Sequence, residues 1–430
     1  MFLPMTTESY MYFVTDNTDD PDDRDNPKKI AASGNIMSLL DPKCEVTEFD
    51  PQNGLGCFFM LFAGCTSLTT APELPATTLA EHCYYSMFAG CTSLTTAPEL
   101  PATALAKSCY EYMFGECSLT TAPELPATTL AESCYSGMFG DCTSLTAAPE
   151  LKAAILAESC YSGMFAGCTS LTTAPELPAT TLAEYCYSSM FSDCTSLKAA
   201  PELPATTLAD YCYASMFEGC KLTAAPSLPV TTLAEGCYQS MFRYCTSLTT
   251  APELPATTLD DYCYASMFYG CTSLTTAPEL KATKLAKGCY KTMFGECTFT
   301  TAPELKATDL AEYCYWGMFE YCTSLTTAPE LPATALAEGC YSGMFEDCTS
   351  LTTAPALPAT TLAKDCYYSM FSGCSNLNSI TVHFTNWDPL MPTNCWVKEV
   401  FATGTFRCPN GLPEKHGESY IPNGWTKVDL

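Results

Sequence analysis

Cysteine is the residue of this chain whose number and spacing could support chemistry. The sequence holds 29 cysteines, and most of them lie eight residues apart in pairs such as Cys83 and Cys91. Thiols in such numbers can form disulfides, bind zinc or act as nucleophiles. The chain has no C-x-x-C element and only three histidines, so a zinc site of cysteine and histidine is not expected. We predict no metal ion and no other cofactor.

Other candidate nucleophiles also lack the partners that catalysis needs. Serine and threonine are plentiful, but no histidine recurs beside them and no G-x-S-x-G element is present. A glutamate recurs in the segment A-P-E-L-P, as at Glu99, and it supplies single carboxylates rather than a pair of tuned acids. We therefore predict no catalytic residue and do not expect an enzyme.

The cysteines belong to an internal repeat that occupies most of the chain. Its best preserved part reads C-Y-x-x-M-F-x-x-C-T-S-L, as at 83–94, and T-T-A-P-E-L-P-A-T-T-L-A follows it. The repeat returns every 25 or 26 residues between Cys57 and Cys374. A period of this size is typical of a solenoid, in which each repeat buries its apolar face against its neighbours. The spacing predicts about 13 coils.

Each coil is predicted to contain one helix and one strand. At about 100° per residue, the Cys, Tyr, Met and Phe side chains of 83–91 fall on one arc, and the variable doublets fall on the opposite arc. This pattern predicts a short amphipathic helix. The segment C-T-S-L-T-T-A-P at 91–98 suits a strand that ends at its proline. The sequence thus predicts an α/β repeat solenoid with one parallel β-sheet and short helices on the other face.

The predicted helix places both cysteine columns inside the solenoid. A buried free thiol behaves as a small apolar residue, and this is the first interpretation of the columns. Disulfides within or between coils are the alternative, because stacking brings equivalent cysteines near the distance that a bridge needs. Cys395 and Cys408, which lie beyond the repeats, form a separate candidate pair.

The end of the repeat pattern on each side predicts three regions. These are an N-terminal segment and cap at 1–56, the repeat array at 57–377, and a C-terminal cap at 378–430 in which tryptophans cover the last coil. The acidic segment Asp16–Asn26 suits a solvated loop. A calcium loop is its alternative, although it lacks the glycine and glutamate of an EF-hand.

The charge of the chain excludes several classes of partner. The formal net charge is −28, with 19 Lys and Arg against 47 Asp and Glu, which argues against binding to nucleic acid or anionic lipid. No run of 18 apolar residues occurs, so membrane insertion is not expected. The first residues lack a basic region and a clear cleavage site, so no signal peptide is predicted.

The segment Met87-Phe88-Ala-Gly-Cys91-Thr-Ser-Leu94 and its copies resemble the BspA-like leucine-rich repeat proteins of gut and oral Bacteroidales and treponemes. The repeats are also similar to the M-F-x-x-C-x-x-L surface proteins of mycoplasmas and lactobacilli. The resemblance covers 57–377, and the longer P-E-L-P-A-T-T insertion departs from the pattern. It implies a right-handed, non-catalytic solenoid that acts as a surface adhesin or binding protein. Similar arrays occur in phage and mobile-element genes.

The variable outward doublets are the predicted ligand-binding surface. Exposed tyrosines beside small and acidic residues are typical of paratopes. The alternative is that these rings pack along neighbouring coils. The candidate residues are Tyr185, Tyr211, Tyr244, Tyr262, Tyr269, Tyr313, Trp316 and Tyr321. The expected partner is a protein or glycan on a host or neighbouring cell. The expected location is the cell surface or the extracellular space, and a virion or the cytoplasm is the alternative.

Two further surfaces have a functional and a structural interpretation. The threonine ladder, Thr69-Thr70 and its copies, could contact glycans or ice, or could reflect ordinary β-propensity. A basic island of lysines could dock an acidic partner or relieve self-repulsion; it consists of Lys281, Lys284, Lys287, Lys291 and Lys306. For the whole chain two hypotheses follow: a binding module, carried by a cell or by a phage-like particle, or a structural spacer selected for rigidity and length.

Overall fold

The computed structural model describes residues 12–15, 30–36, 56–387 and 392–430. The chain divides into two compact units, Met1–Thr207 and Leu208–Leu430. The first unit contains β1 (Tyr12–Thr15), β2 (Ile30–Ser33) and β3 (Leu68–Thr70). They form a sheet in the order β1-β2-β3, with β1 antiparallel and β3 parallel to β2.

The second unit contains a sheet of three parallel strands near its end. These are β4 (Ser379–Thr381), β5 (Thr405–Cys408) and β6 (Thr426–Asp429), in that order. The backbone between β4 and β5 also continues the hydrogen bonds of the last repeat, because Phe371 N–H donates to the Trp396 carbonyl at 2.8 Å. The predicted boundaries at 56/57 and 377/378 stay predictions.

The residues predicted to point inward form the core of both units. In one repeat, Cys83, Tyr84, Met87, Phe88 and Cys91 are all buried. Equivalent rings stack from repeat to repeat, with centroids 5.9 Å apart between the tyrosines at 135 and 161 and 6.0 Å apart between those at 264 and 290. A parallel column of phenylalanines stacks in the same way. Each repeat therefore completes its core with the next, as its period predicts.

The predicted helices are not confirmed, because the described residues contain no α-helix. The segment 82–91 is instead a series of overlapping turns. Cys83, Tyr85 and Met87 donate to carbonyls three residues back in their own repeat. The residues between them donate to the next repeat, as Tyr84 N–H does to the Cys109 carbonyl at 3.0 Å. Half of the amide groups in this segment therefore link repeats, which an α-helix would not allow.

The physical reason for the turns is a left-handed residue at every fourth position. His82, Ser86 and Gly90 have φ angles of 53°, 48° and 71°. Such residues interrupt a right-handed helix and reverse the chain, so the side chains alternate as two inward and two outward. A glycine recurs before the second cysteine of several repeats, as at Gly90, Gly167 and Gly219, and it is the residue that adopts this conformation most readily.

One continuous parallel sheet is not confirmed either. Within the described repeats β3 is a strand, whereas most equivalent positions make single parallel bridges, such as Thr96 with Thr121 and Ala147 with Thr173. The proline two residues after each bridge has no amide hydrogen and cannot extend the pairing. The count of about 13 coils is likewise not confirmed, because the regular elements that would mark each coil are absent from the described residues.

The cysteines of the described residues are free thiols, Cys395 and Cys408 among them. In the second column most thiols donate to the phenylalanine carbonyl of the preceding repeat, as Cys168 Sγ does to Phe139 at 3.1 Å. Burial raises the pKa of Cys168 to about 12, so its thiol keeps the proton that this hydrogen bond needs. Each of these thiols thus adds one bond between repeats. The acidic segment Asp16–Asn26, proposed as a loop, lies outside the described residues.

Candidate binding surface

The turn segments present their variable doublets on one surface, which we call the turn face. Six of the eight candidate aromatic residues occupy its left-handed positions, with φ between 52° and 58°. These six are Tyr185, Tyr211, Tyr244, Tyr262, Tyr313 and Tyr321. Tyrosine tolerates this conformation poorly, so neighbouring groups must hold it there.

Four of these six tyrosines pack against glycines of the following repeat. The Tyr211 ring lies so close to Gly236 that a Cβ atom at this glycine would overlap it. The same holds for Tyr262 over Gly288, and equivalent pairs join Tyr313 to Gly339 and Tyr244 to Gly270. Each of these four rings therefore covers the backbone of the next repeat with one of its faces.

Several candidate hydroxyl groups are also bonded to the neighbouring repeat. Tyr211 donates to Glu235 Oε1 at 2.7 Å, and Tyr313 donates to Glu338 Oε1 at 2.9 Å. Tyr269 donates to Glu296 Oε1 at 2.9 Å. All three tyrosines are half-buried. For these residues the geometry favours the packing interpretation, because their polar group is already used within the protein. Tyr185 and Tyr262 are half-buried as well.

Three candidates remain widely exposed, and we call them the exposed aromatic group. The exposed fractions are 39% for Tyr244, 39% for Trp316 and 47% for Tyr321. Two basic side chains support the group: Lys291 Nζ lies 3.9 Å from the Trp316 ring centroid, and Arg243 lies 4.6 Å from that of Tyr244. Such cation–π contacts orient exposed rings.

The structure brings some candidates together. Tyr244 and Tyr269 meet edge to face at 5.7 Å, and Tyr313 lies 6.1 Å from Trp316. Arg243 also reaches the Tyr269 ring and binds Glu218 Oε1 at 2.9 Å. The turn face of the second unit thus carries aromatic rings interleaved with charged groups.

Glu320 is a residue of this surface that the sequence analysis did not single out. Burial raises its pKa to about 7, and the carboxylates of Glu346 and Glu296 add to this rise, while Lys291 opposes them. The three glutamates occupy the same outward doublet of consecutive repeats. An alignment of the repeats could have shown this row of like charges, but not the burial of its middle member.

The raised pKa of Glu320 predicts a pH-dependent stability of the second unit. The folded state holds this proton more tightly than the unfolded chain, whose glutamates titrate near 4.5. The stabilisation is therefore complete below pH 4.5 and is lost as pH rises through about 7. In urea titrations at several pH values, the free energy of unfolding of Glu320→Gln should fall less with rising pH than that of wild type. Glu330→Gln, at an exposed glutamate of the same unit, should leave this pH dependence unchanged. Equal pH profiles for wild type and Glu320→Gln would contradict the assignment.

Three of the five lysines of the basic island lie beside acidic side chains. Lys306 binds Glu279 at 2.8 Å, Lys287 binds Glu312 at 3.2 Å, and Lys284 lies 4.0 Å from an aspartate of the next repeat. This pairing favours relief of self-repulsion over docking. In the threonine ladder one hydroxyl group is similarly used in several repeats, as Thr146 Oγ1 donates to the Thr120 carbonyl at 3.3 Å.

The described ranges offer neither a metal site nor a membrane-crossing helix. No group of three or more His, Cys, Asp or Glu side chains within them could hold a metal ion. In the same ranges, no helix has the length and the apolar character that spanning a bilayer requires.

Comparison with known families identifies the repeats. The BspA type leucine rich repeat region, in six copies, matches residues 59–198, 107–249, 158–299, 236–369 and 290–399. The chain belongs to the BspA-type leucine-rich repeat family. This confirms the resemblance seen in the sequence, and with it the leucine-rich repeat fold.

A solved structure is also similar to this BspA-type protein. It is a leucine-rich repeat protein from Bacteroides ovatus, known from a crystal structure, with a TM-score of 0.45 and 19% sequence identity. The alignment covers 76% of this chain and 78% of the other. No curated protein matches the sequence.

Proposed function

We propose that this BspA-type protein is a non-catalytic binding protein that recognises a protein or a glycan through its turn face. The observation that carries the proposal is the exposed aromatic group, Tyr244, Trp316 and Tyr321, on the second unit. Leucine-rich repeat families are generally non-catalytic and serve in protein binding or adhesion, which supports this class of function. BspA-type proteins are often surface-associated, which supports a partner on a host or neighbouring cell.

The arrangement of the rings suits recognition because the rings lose little conformational entropy when a partner binds. Lys291 and Arg243 hold Trp316 and Tyr244 in place before any partner arrives. A ring that is already ordered loses less freedom on binding, and an exposed tryptophan or tyrosine provides a large contact area. The half-buried tyrosines, such as Tyr211 and Tyr313, would act as supports whose exposed edges widen the surface.

The test is an array of glycans and host surface proteins probed with the full chain. The triple variant Tyr244→Ala, Trp316→Ala and Tyr321→Ala should weaken the binding found by roughly tenfold or more, as aromatic hot spots do. Tyr112→Ala is the matched control, because Tyr112 is 47% exposed and lies on the first unit. A folded triple variant that binds as tightly as wild type would refute the proposal, as would a wild-type chain that binds nothing.

A structural spacer is the second candidate, and one observation favours it. The hydrogen bonds from repeat to repeat are regular throughout each unit, and tyrosine–glycine pairs such as Tyr262 with Gly288 add to them on the surface. Such packing suits rigidity. A spacer in a cell-surface or phage-like particle would tolerate the triple substitution without any functional loss, so the same array separates the two candidates.

A further inference from the structure

A second surface of the molecule has grooves, and it lies on the A-P-E-L-P segments rather than on the turn face. In the first unit one groove of about 440 Å³ is lined by residues 71–75 together with 98, 99 and 101. The next, of about 460 Å³, is lined by residues 97–101 and 123–124. Pro98, Glu99 and Pro101 line both. The grooves therefore follow one another along consecutive repeats. A third, of about 330 Å³, is lined by 174–178 together with 201, 202 and 204.

The walls of these grooves are apolar and their charges are of one sign. Proline rings and alanines, such as Pro98, Pro101 and Ala97, line the sides, and Leu100 is buried beneath. Proline offers no amide hydrogen, so the walls supply few hydrogen-bond donors. The charged side chains of the three grooves are all glutamates.

The glutamates of these three grooves have no counter-charge among the described residues, whereas some turn-face glutamates have one. On the turn face, Glu132 binds Lys107 and Glu338 binds Lys364. Among the described residues, Glu73, Glu99 and Glu124 are exposed and have no side-chain hydrogen bond or ion pair. Glu176 and Glu202 of the third groove share this property. The carboxylates beside these three grooves are therefore open to cations of a partner.

We infer that this row of grooves is a docking surface for a basic, extended segment of a partner protein. The groove carboxylates complement lysine and arginine head groups, and the proline walls accept the aliphatic stems of the same side chains. Extended chain suits a groove that continues from one repeat to the next, and partner charges would remove the repulsion between successive glutamates. The surface shares no residue with the exposed aromatic group, so it stands independently of the proposed function.

The probe is a short oligo-arginine peptide, titrated into the full chain by fluorescence polarisation at several salt concentrations. The groove triple Glu73→Gln, Glu99→Gln and Glu124→Gln should weaken binding roughly tenfold, because three charge pairs of modest strength are lost together. The control triple removes the same charge from exposed turn-face glutamates of the same unit. It consists of Glu81→Gln, Glu158→Gln and Glu184→Gln. This control should change affinity by less than about twofold.

Each outcome decides for or against the groove. A loss of peptide affinity in the groove triple alone supports the groove as the docking surface, because the two triple variants have the same net charge and are substituted in the same unit. Equal loss in both triples would show that the −28 chain attracts the peptide by its overall field, and would overturn the proposal. Equally tight, equally groove-dependent binding of spermine would also overturn it, because a polyamine offers no peptide backbone. The triple of the exposed aromatic group should bind the peptide normally, which keeps this test separate from that of the proposed function.

Discussion

Phe165→Ala should lower the free energy of unfolding of the first unit by about 3–5 kcal/mol. The Phe165 ring is fully buried and stacks between Phe139 and Phe191 at 5.7 and 5.8 Å. Both neighbours belong to the same column and are held by further contacts, so they cannot close the cavity. Urea unfolding and hydrogen exchange of residues 139–191 measure the loss, which should be largest in the repeats that flank the substitution.

The control for this substitution is Ile155→Ala in the same unit. Ile155 is 81% exposed, so its truncation should change stability by less than about 0.5 kcal/mol. If both variants unfold at the same urea concentration, the phenylalanine column does not carry the stability that its burial implies.

Gly404→Ala should destabilise the C-terminal sheet by about 1–3 kcal/mol, the usual cost of forcing an extra carbon into a packed site. A Cβ atom at Gly404 would meet the Trp425 ring at 2.7 Å and would collide with the Asn378 carbonyl. Backbone cannot rotate away as a side chain can, and Thr405 N–H bonds to this same carbonyl at 2.8 Å. Hydrogen exchange of β5 and β6 measures the effect.

Gly115→Ala is the control for the sheet substitution. The nearest atom to a Cβ at Gly115 is a backbone oxygen at 3.5 Å, which is ordinary van der Waals contact. Exchange in this variant should stay at the wild-type rate across its own repeat and the next. Unchanged exchange of β5 and β6 in Gly404→Ala would mean that the close approach is relaxed in solution.

The inward residues could be predicted from the sequence, whereas the local backbone could not. Cys83, Met87 and Phe88 recur in nearly every repeat, and a solenoid core is the simplest cause of such uniformity. A period of four residues and a helical period of 3.6 place these few side chains on the same side, so the pattern cannot separate turns from a helix. The recurrent glycine at Gly90 and its equivalents was the available sign of a left-handed position.

The candidate surface was predictable only in part because its properties depend on the next repeat. The sequence places Tyr211 and Tyr244 outward, but their burial depends on what lies one repeat later. Gly236 accepts the Tyr211 ring, and Glu235 accepts a hydrogen bond from its hydroxyl group. In the sequence, this packing is indicated by a bulky outward residue that is followed by a glycine one repeat later. The raised pKa of Glu320 and the open groove carboxylates depend on burial and pairing, which spacing does not reveal.

The turn hydrogen bonds also give each stack of repeats an electrical direction. The amide groups of Tyr84, Ser86 and Phe88 all donate to the following repeat, so their dipoles are aligned. Unbonded amide hydrogens would face the C-terminal side of such a stack and unbonded carbonyls its N-terminal side, the reverse of an α-helix. In the second unit the carbonyl groups of the segment 392–398 accept hydrogen bonds from the amides of the last repeat. The amide hydrogens at the positive end of this stack are therefore bonded. The backbone alone therefore sets up a field that the acidic side chains then modify.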